Sequence, residues 1–283
     1  MKTVLITGSS KGIGLETALA FGRAGYKVFA TMRNPEKATD LENIVLTENL
    51  NISLYKLDVN NDASVSKCFK TILADHTIDV LVNNAGIERH GSVEELAMLD
   101  FKAIMETNYF GVLRTTKSLL PQMRKKKNGC IINVASVSGH ISNSPLGAYA
   151  ASKFALEAIS EALAGEVKPF NIRVAIVEPG IINTQMASDI SVDDISLYPH
   201  SKRMAGLFSA SLKTPTPPTL VADKILEIAE SNTWKLRHPV GPDAEPFIQW
   251  RKSLTDEEWV DWSAVNDDEW YEAVQNTFGL DAR

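Results

Sequence analysis

The chain has 283 residues, of which 44% are hydrophobic, and its formal net charge is −6. This length and apolar content suffice for one large or two small hydrophobic cores. The acidic balance argues against DNA or RNA as the main partner, because nucleic-acid-binding proteins usually carry a basic excess or stripe. No apolar run approaches the roughly 20 residues of a membrane-spanning helix, and the first residues show no signal-peptide pattern.

The two cysteines, Cys68 and Cys130, lie in amphipathic and apolar stretches. We expect them to be buried thiols in a reducing compartment rather than a disulfide framework. The spacing of Cys and His residues does not match a metal site, so no metal is expected. These features predict a cytoplasmic protein without a membrane span.

Short β-rich runs alternate with helical patterns from the first residues to Gly180. The strand candidates are continuous apolar runs, as expected when helices cover both faces of a parallel sheet. Their spacing implies right-handed βαβ units and a doubly wound, Rossmann-type α/β fold. The strands are predicted at 3–7, 27–31, 52–59, 79–85, 129–136 and 172–179, and the helices at 12–24, 35–48, 62–75, 100–125 and 148–168.

This alternation ends after Gly180. Helices are predicted at 200–212 and 221–230, and a last strand at 234–241. From Pro242 the chain is acidic and rich in tryptophan, and capping-box patterns at Thr255 and Asn266 predict two short helices, the second closed by Gly279. We interpret 1–241 as one domain and 242–283 as a helical extension packed on it.

The first strand runs directly into the glycine-rich stretch TGSSKGIG, which precedes the first helix. Glycines at this point let the backbone turn sharply and approach a pyrophosphate, and the helix N-terminus adds free N–H groups. Glycine-rich turns also simply connect elements, but the position after an apolar strand favours nucleotide binding.

The second strand ends Thr31-Met32-Arg33, without the carboxylate that an NAD site places there for the ribose hydroxyls. Lys11 and Arg33 together would attract a 2′-phosphate, so NADP(H) is favoured over NAD(H). The alternative is that both are ordinary surface cations. Asp58 and Val59, at the end of the third strand, are expected beside the adenine ring.

Tyr149 and Lys153 lie four positions apart in GAYAASKFALEAI and therefore share one helix face. A free tyrosine has a pKa of about 10. A nearby ammonium favours the phenolate and lowers that pKa, which would let the phenol exchange a proton with a substrate oxygen. Ser136, at the end of its strand, is placed to hydrogen-bond the same oxygen.

Six motifs in this order resemble the short-chain dehydrogenase/reductase family in its single-domain branch. They are TGSSKGIG, NNAG (83–86), ETNYFG around Asn108, NVASVSG around Ser136, Tyr149-x-x-x-Lys153 and PGIINT (179–184), and together they cover about residues 1–184. The resemblance is greatest to carbonyl reductases and to steroid- and retinol-type members. It implies a nicotinamide cofactor and oxidoreduction between carbonyl and alcohol groups.

The resemblance also implies roles for single residues. Tyr149 would be the acid/base, Lys153 would bind the nicotinamide ribose, and Asn108 would hold a water that links Lys153 to solvent. In isolation, Ser136 and Asn108 also fit an ordinary strand-end hydroxyl and a helix amide bonded to backbone. The expected cofactor contacts are Gly8, Ser10, Lys11, Gly12, Ile13, Gly14, Arg33, Asp58, Val59, Asn84, Ala85, Gly86, Tyr149, Lys153, Pro179, Gly180, Ile182 and Thr184.

The segment 183–218 is expected to cover a small-molecule substrate as a lid. Its apolar residues favour a hydrophobic ketone or alcohol; they are Met186, Ile190, Ile195, Leu197, Met204, Leu207 and Phe208, to which Ile141 and Leu146 are added. Candidate substrate contacts are Ser138, His90, His140, Leu146 and Met186, although a surface or core role is the simpler interpretation of each histidine. Trp250, Trp259, Trp262 and Trp270 are expected to pack against the domain or a second subunit rather than bind ligand.

The leading hypothesis is an NADPH-dependent carbonyl reductase or alcohol dehydrogenase, expected as a homodimer or homotetramer. One alternative is a steroid- or retinol-type dehydrogenase that works in the oxidative direction. Another is a non-catalytic NADP(H)-binding sensor or scaffold on the same fold, which loss of Ser136, Tyr149 or Lys153 would have favoured. All three residues are present.

Overall fold

The computed structural model describes residues 1–190 and 196–283. Its centre is a parallel sheet with strand order β3-β2-β1-β4-β5-β6-β7. The strand order reverses between β1 and β4, which is where ligands of open α/β sheets bind. The strands are β1 (Thr3–Thr7), β2 (Lys27–Met32), β3 (Ile52–Lys56), β4 (Val80–Asn83), β5 (Gly129–Val134), β6 (Ile172–Pro179) and β7 (Arg237–Val240).

Helices cover both faces of this sheet, so the predicted doubly wound α/β fold is confirmed. Helix α9 packs beside α1, and α3 beside α5. The helices are α1 (Gly12–Arg23), α2 (Thr39–Thr47), α3 (Asp62–Asp75), α4 (Met98–Met105), α5 (Gly111–Lys126), α6 (Gly147–Val167), α7 (Gln185–Ser188), α8 (His200–Leu212), α9 (Pro218–Glu230), α10 (Ala244–Ser253), α11 (Asp256–Ala264) and α12 (Asp267–Phe278). None of the helices in these two described ranges is long and apolar enough to cross a membrane.

Alternate residues of the central strands enter two separate apolar layers. Val4 and Ile6 pack into the layer under α1 and α9, whereas Leu5 and Phe29 pack into the layer under α3 and α5. All four side chains are fully buried. Each contributes about 1.5–3 kcal/mol through burial, which explains why the strand sequences are continuously apolar.

Several element boundaries differ from the sequence-based prediction. The helix predicted at 35–48 is a 3₁₀ turn (Pro35–Lys37) followed by α2. Strand β3 ends at Lys56, although the pattern continued to 59 because Leu57 and Val59 are buried without being in the strand. The helix predicted at 100–125 begins at Met98 and contains a π-helical turn over Glu106–Phe110.

The C-terminal extension holds three helices rather than the two predicted. The missed helix, α10, follows Asp243, whose side chain accepts from Ile181 instead of capping the helix, and Pro246 stands where a capping box needs Glu or Gln. Thr255 forms the full capping box with Glu258, whereas Asn266 forms only the half in which its side chain accepts from the Glu269 backbone. Ile195, counted among the apolar lid residues, lies outside the described residues.

The C-terminal helices pack on α8 through aromatic rings and one buried cation. Trp250 and Trp270 each approach Trp262, with ring centres 4.9 and 5.7 Å apart. Arg203 of α8 is 3% exposed. Its guanidinium pairs with Asp267 at 2.7 Å and donates to the carbonyls of Ser263 and Val265 at 3.3 and 2.6 Å. These contacts fix α11 and α12 against the helix predicted to cover the substrate.

Candidate active site

A cleft of about 330 Å³ opens at the carboxyl ends of β1, β2, β4, β5 and β6. It runs from the glycine-rich turn, past the end of β4, to the N-terminal half of α6. Side chains far apart in the sequence meet here because parallel strands end at the same edge of the sheet.

Most of the predicted site residues line this cleft. They are Gly8, Ser10, Lys11, Gly12, Ile13, Arg33, Asp58, Val59, Asn84, Ala85, Gly86, Ser136, Ser138, Leu146, Tyr149, Lys153, Pro179, Gly180, Ile182, Thr184 and Met186. Four predicted residues do not line it: Gly14, Asn108, His90 and His140.

The glycine-rich turn forms a cradle of backbone atoms. Gly8 and Gly12 have backbone φ angles of +73° and +58°, which residues other than glycine rarely adopt. Gly14 is buried behind them, and a Cβ there would overlap the Gly8 carbonyl oxygen and Asn84 Nδ2. Lys11, the N-cap of α1, makes no side-chain cap. The first N–H groups of α1 therefore remain available for an anion, as a pyrophosphate site requires.

Asn84 holds the cradle in place from the end of β4. Its Nδ2 donates to the carbonyls of Thr7 and Gly8, both at 3.0 Å. The Thr7 hydroxyl in turn accepts from the backbone N–H groups of Asn84 and Ala85 at 3.0 Å. The NNAG motif thus braces β1 against β4 and brings Gly86 to the cleft.

Ser136, Tyr149 and Lys153 lie on one wall of the cleft. The Ser136 hydroxyl accepts from the Ser138 backbone N–H at 3.1 Å and interacts with the Tyr149 phenol, whose pKa it lowers. The Lys153 ammonium lies 5.5 Å from the centre of the Tyr149 ring and donates to the Val134 carbonyl at 2.9 Å. The three polar groups therefore form one cluster at the end of β5.

The direction of the Tyr149 pKa differs from the sequence-based expectation. Burial raises the pKa of Tyr149 to about 12, although the hydrogen bond from Ser136 lowers it. Burial also lowers the pKa of Lys153 to about 8, and the nearby Glu157 carboxylate partly offsets this. Desolvation dominates because Lys153 is buried, Tyr149 is half-buried, and the ammonium is directed to Val134 rather than to the phenol oxygen.

Asn108 lies in the π-helical turn and not at the cleft. Its Oδ1 accepts from the Ile87 backbone N–H at 2.9 Å, and its Nδ2 donates to the Ile87 carbonyl and to Ser152 Oγ at 2.9 and 3.0 Å. The side chain is 1% exposed. Its amide fixes the segment after β4, and the water-holding role that the resemblance implies for Asn108 stays a prediction. Thr107, its neighbour, does line the cleft.

Neither candidate histidine faces the substrate space. His90 lies behind Glu88, with Nδ1 3.6 Å from the carboxylate. His140 is directed away from the cleft, and its Nε2 lies 2.6 Å from Glu178. The loop pattern placed both histidines at the correct edge of the sheet but could not give the direction of their rings.

His140 belongs to a buried charged cluster behind α6. Glu157 and Glu178 are 5% and 1% exposed, and Arg237 contacts Glu157 at 2.9 Å and Glu178 at 3.9 Å. The ligand atoms of His140, Glu157 and Glu178 lie within 4.8 Å of one another. The guanidinium of Arg237 supplies the positive charge that two buried carboxylates need.

Lys11 and Arg33 are exposed at the end of the cleft where β2 ends. Across the described ranges of the chain, no ion pair involves either cation. Asp58 accepts from the Asn60 backbone N–H at 3.1 Å, which keeps its carboxylate in the turn after β3. Two unpaired cations on one side of this turn are complementary to a phosphate group.

Two further residues of the site carry no motif that would predict them from the sequence. Glu88 lines the cleft, and its charge raises the pKa of Tyr149 further. Asp243 accepts from the Ile181 backbone N–H at 2.7 Å and packs against Gly180, which ties the start of α10 to the cleft. Neither residue belongs to a motif. The only sequence feature that indicated a place for Glu88 at the cleft was the NNAG motif just before it.

Comparison with known proteins agrees with this geometry. A family model described as short chain dehydrogenase matches residues 2–194. The chain belongs to the short-chain dehydrogenase/reductase family. An uncharacterized oxidoreductase of Bacillus subtilis, YusZ, is 35% identical over 274 residues, which cover 93% of this chain and 96% of that protein.

Two further comparisons extend this assignment. Human retinol dehydrogenase 8 is 40% identical over 190 residues, which cover 65% of this chain and 60% of that protein. The solved structure of ElxO with NADP bound superposes with a TM-score of 0.74 at 30% identity and covers 86% of this chain and 98% of that one. The protein is therefore an oxidoreductase of this family, with a fold that holds NADP in a solved relative.

Proposed function

We propose that the protein is an NADP(H)-dependent carbonyl reductase or alcohol dehydrogenase in which Tyr149 is the acid/base. The observation that carries the proposal is the cluster of Ser136, Tyr149 and Lys153 on one wall of a cleft whose other end is the glycine cradle. Such an arrangement brings a proton donor and a dinucleotide site to the same space. When bound, the nicotinamide supplies or accepts a hydride.

The residues of the cleft fit this cofactor. The cradle has no room for a Cβ at Gly14 and leaves the first turn of α1 uncapped, which suits a pyrophosphate. Asp58 and Val59 would contact the adenine, and Lys153 the nicotinamide ribose. Other contacts are proposed from Ser10, Ile13, Ala85, Gly86, Pro179, Gly180, Ile182 and Thr184.

The roles of the polar residues follow from their protonation. With a pKa of about 12, Tyr149 holds its proton at neutral pH and can donate it to the oxygen of a bound ketone. Ser136 would hold that oxygen beside the phenol. The Lys153 ammonium, 5.5 Å from the ring, then stabilises the phenolate that remains. The protonated phenol is the form that reduction of a ketone requires; oxidation as the main direction, as in a steroid- or retinol-type dehydrogenase, is the second candidate.

Tyr149→Phe tests the proposed chemistry. We expect ketone-dependent NADPH oxidation to fall by about 10²–10⁴-fold, which is the usual contribution of a general acid, while NADPH still binds. Tyr26→Phe is the control, because Tyr26 is a buried tyrosine outside the cleft whose hydroxyl has no partner. Wild-type turnover in Tyr149→Phe would refute the mechanism. A non-catalytic sensor predicts NADPH binding without turnover of any ketone or alcohol in the wild type.

Arg33→Asp tests the preference for NADP(H). A carboxylate at the end of β2 would repel a 2′-phosphate and accept the hydroxyls of an NAD ribose. We expect the ratio of kcat/KM for NADPH to that for NADH to fall by about a hundredfold, as two charge-assisted contacts would give. Lys70→Asp, a comparable charge change at an exposed position of α3, is the control. An unchanged ratio would remove Arg33 from the proposed site.

The lid and the assembly are proposed from surface and cleft residues. Helices α7 and α8 would cover the substrate, because Met186 of α7 and Phe208 of α8 both line the cleft. Exposed Leu99, Phe110 and Phe154 leave apolar surface on neighbouring helical segments, which supports a homodimer or homotetramer. Light scattering would test the assembly. The cytoplasmic location stays a prediction from the buried thiols.

A further inference from the structure

A second, smaller cavity of about 70 Å³ lies between α8, the loop after β5 and the C-terminal helices. Its walls are mainly aromatic and aliphatic; they include Met204, Leu207, Phe247, Trp250, Trp262, Trp270, Val274 and Phe278. A water needs about 10–15 Å³ of such space. The cavity therefore has room for about five water-sized groups, which fits the end of a ligand but not a whole one.

This cavity adjoins the candidate active site. Val137, Ser138, Leu146, Ile181 and Phe208 line both spaces. The Ser138 backbone N–H also hydrogen-bonds the Ser136 hydroxyl. A molecule with its oxygen beside Ser136 would therefore reach the smaller cavity by extending past these shared walls.

Among the described residues, the walls of the cavity contain two hydrogen-bond acceptors without partners. They are His200 Nδ1 and Asn143 Oδ1, and both atoms are buried. His200 Nε2 lies 3.1 Å from the Ser263 carbonyl. Because a carbonyl only accepts, Nε2 carries the proton, and the other nitrogen of the neutral ring is an acceptor. Buried polar atoms normally have partners, so this pair calls for a donor from a ligand.

A cation in the same wall, Arg203, is already neutralised. Arg203 pairs with Asp267 at 2.7 Å, and its other nitrogens donate to backbone carbonyls. An anionic ligand end would meet two acceptor atoms and no unpaired cation among the described wall residues. A hydroxyl group is therefore a better match than a carboxylate.

We propose that this cavity, here called the tryptophan cavity, binds the far end of an elongated, mainly apolar ketone or alcohol that carries a hydroxyl group at that end. The inference rests on the proposed function, since the near end would be the carbonyl beside Tyr149. It assigns the tryptophan-rich extension to substrate recognition as well as to packing. Selectivity would come from apolar burial along the walls and from one hydrogen bond to His200 or Asn143.

The test uses 2-alkanones from hexan-2-one to dodecan-2-one, each with and without a terminal hydroxyl. In the wild type, kcat/KM should rise with length to an optimum, and at that optimum the hydroxylated ketone should exceed its plain partner by about tenfold, the value of one well-placed hydrogen bond. A ketone acid of the same length, such as 9-oxodecanoic acid, should be a poorer substrate. A flat length series, or a preference for the acid, would overturn the proposal.

Val274→Phe fills the tryptophan cavity, whereas Val260→Phe makes the same change at a position on α11 that is 62% exposed. We expect the first variant to lose the gain from chain length and hydroxyl while butan-2-one is turned over as before, and the second to behave as wild type. Identical behaviour of the two variants would overturn the proposal.

The double variant Asn143→Leu/His200→Leu removes the acceptors and keeps the apolar walls. The ratio of kcat/KM for hydroxylated and plain ketone should then fall to about one. This ratio is measured within one enzyme, so it does not depend on the fraction of folded protein. A ratio that stays at the wild-type value would overturn the role of these acceptors.

A binding measurement separates the two proposals. Trp250, Trp262 and Trp270 line the cavity, so saturable binding of 10-hydroxydecan-2-one should change the tryptophan fluorescence of the wild type and of Val260→Phe but not of Val274→Phe. If no ketone is reduced and this change still occurs, the proposed function fails and the cavity stands. If ketones are reduced and the change is absent, the cavity proposal fails alone.

Discussion

The glycine cradle and the tryptophan cavity are built in opposite ways. The cradle consists of backbone atoms of the turn that holds Gly8, Gly12 and Gly14, and the side-chain amide of Asn84 fixes it from a second short segment. The cavity consists of side chains from residues that span more than half of the chain, with no repeated motif. A site made from backbone tolerates few substitutions, whereas a site made from side chains can change its ligand by substitution. This difference is consistent with a fixed cofactor and an adjustable substrate.

Gly14→Ala should distort the glycine cradle and cause the largest loss in the free energy of unfolding. The new Cβ would overlap the Gly8 carbonyl oxygen and Asn84 Nδ2, so the turn must move and two hydrogen bonds weaken. We expect a loss of about 3 kcal/mol in the free energy of unfolding. Urea unfolding measures this loss, and a fluorescence titration measures the weakened binding of NADPH.

Gly165→Ala is the matched control for this prediction. Gly165 lies in α6, and no atom outside its own helical turn comes within 4 Å of the position that an alanine methyl group would take. Alanine should therefore raise stability by about 0.5–1 kcal/mol through its better helix propensity. Equal losses in the two variants would mean that the close approach at Gly14 is not what holds the cradle.

Arg203→Met should weaken the packing around the tryptophan cavity and cause the next largest loss in the free energy of unfolding. In a mostly buried place, the variant leaves Asp267 and the Val265 carbonyl without this donor and leaves the Ser263 carbonyl with His200 Nε2 alone. We expect the free energy of unfolding to fall by about 2–3 kcal/mol, less than for a fully buried pair because Asp267 is 44% exposed. Urea unfolding followed by tryptophan fluorescence would detect the loss.

The control for Arg203 is Arg283→Met. Arg283 pairs with Asp268 at 3.8 Å, with both side chains well exposed. Surface pairs of this kind contribute at most about 1 kcal/mol. If both variants lost the same stability, the C-terminal helices would not depend on the buried guanidinium.

The difference between the glycine cradle and the tryptophan cavity also explains which features could be predicted from the sequence. The strands, the glycine turn and the Tyr149–Lys153 pair were predictable because each depends on residues close together in the chain. The direction of the Tyr149 pKa was not, because it depends on burial by segments that only tertiary packing brings near. The direction of the His140 ring toward Glu178 could not be predicted for the same reason. The tryptophans line a cavity that no local sequence pattern indicates.

The charged cluster behind α6 gives a smaller, pH-dependent effect. Burial, and then the nearby Glu178 charge, raise the pKa of Glu157 from 4.5 to about 7, whereas Arg237 and His140 act in the opposite direction. The folded state therefore binds a proton that the unfolded chain releases between about pH 4.5 and pH 7. The contribution of Glu157 to stability is present below this range and is lost as the pH rises through it.

Glu157→Gln removes this titration. The wild type loses stability as Glu157 ionises, and the variant does not. The free energy of unfolding of the variant minus that of the wild type should therefore increase by about 2 kcal/mol from about pH 5 to pH 8. Because Glu157 also supports the charge of Lys153, the alkaline limb of the activity profile should move to lower pH. Glu161→Gln is the control, since Glu161 binds the same arginine at 2.6 Å but its side chain is 62% exposed. A parallel pH dependence of both variants would show that the buried carboxylate next to the active-site helix does not hold the proton.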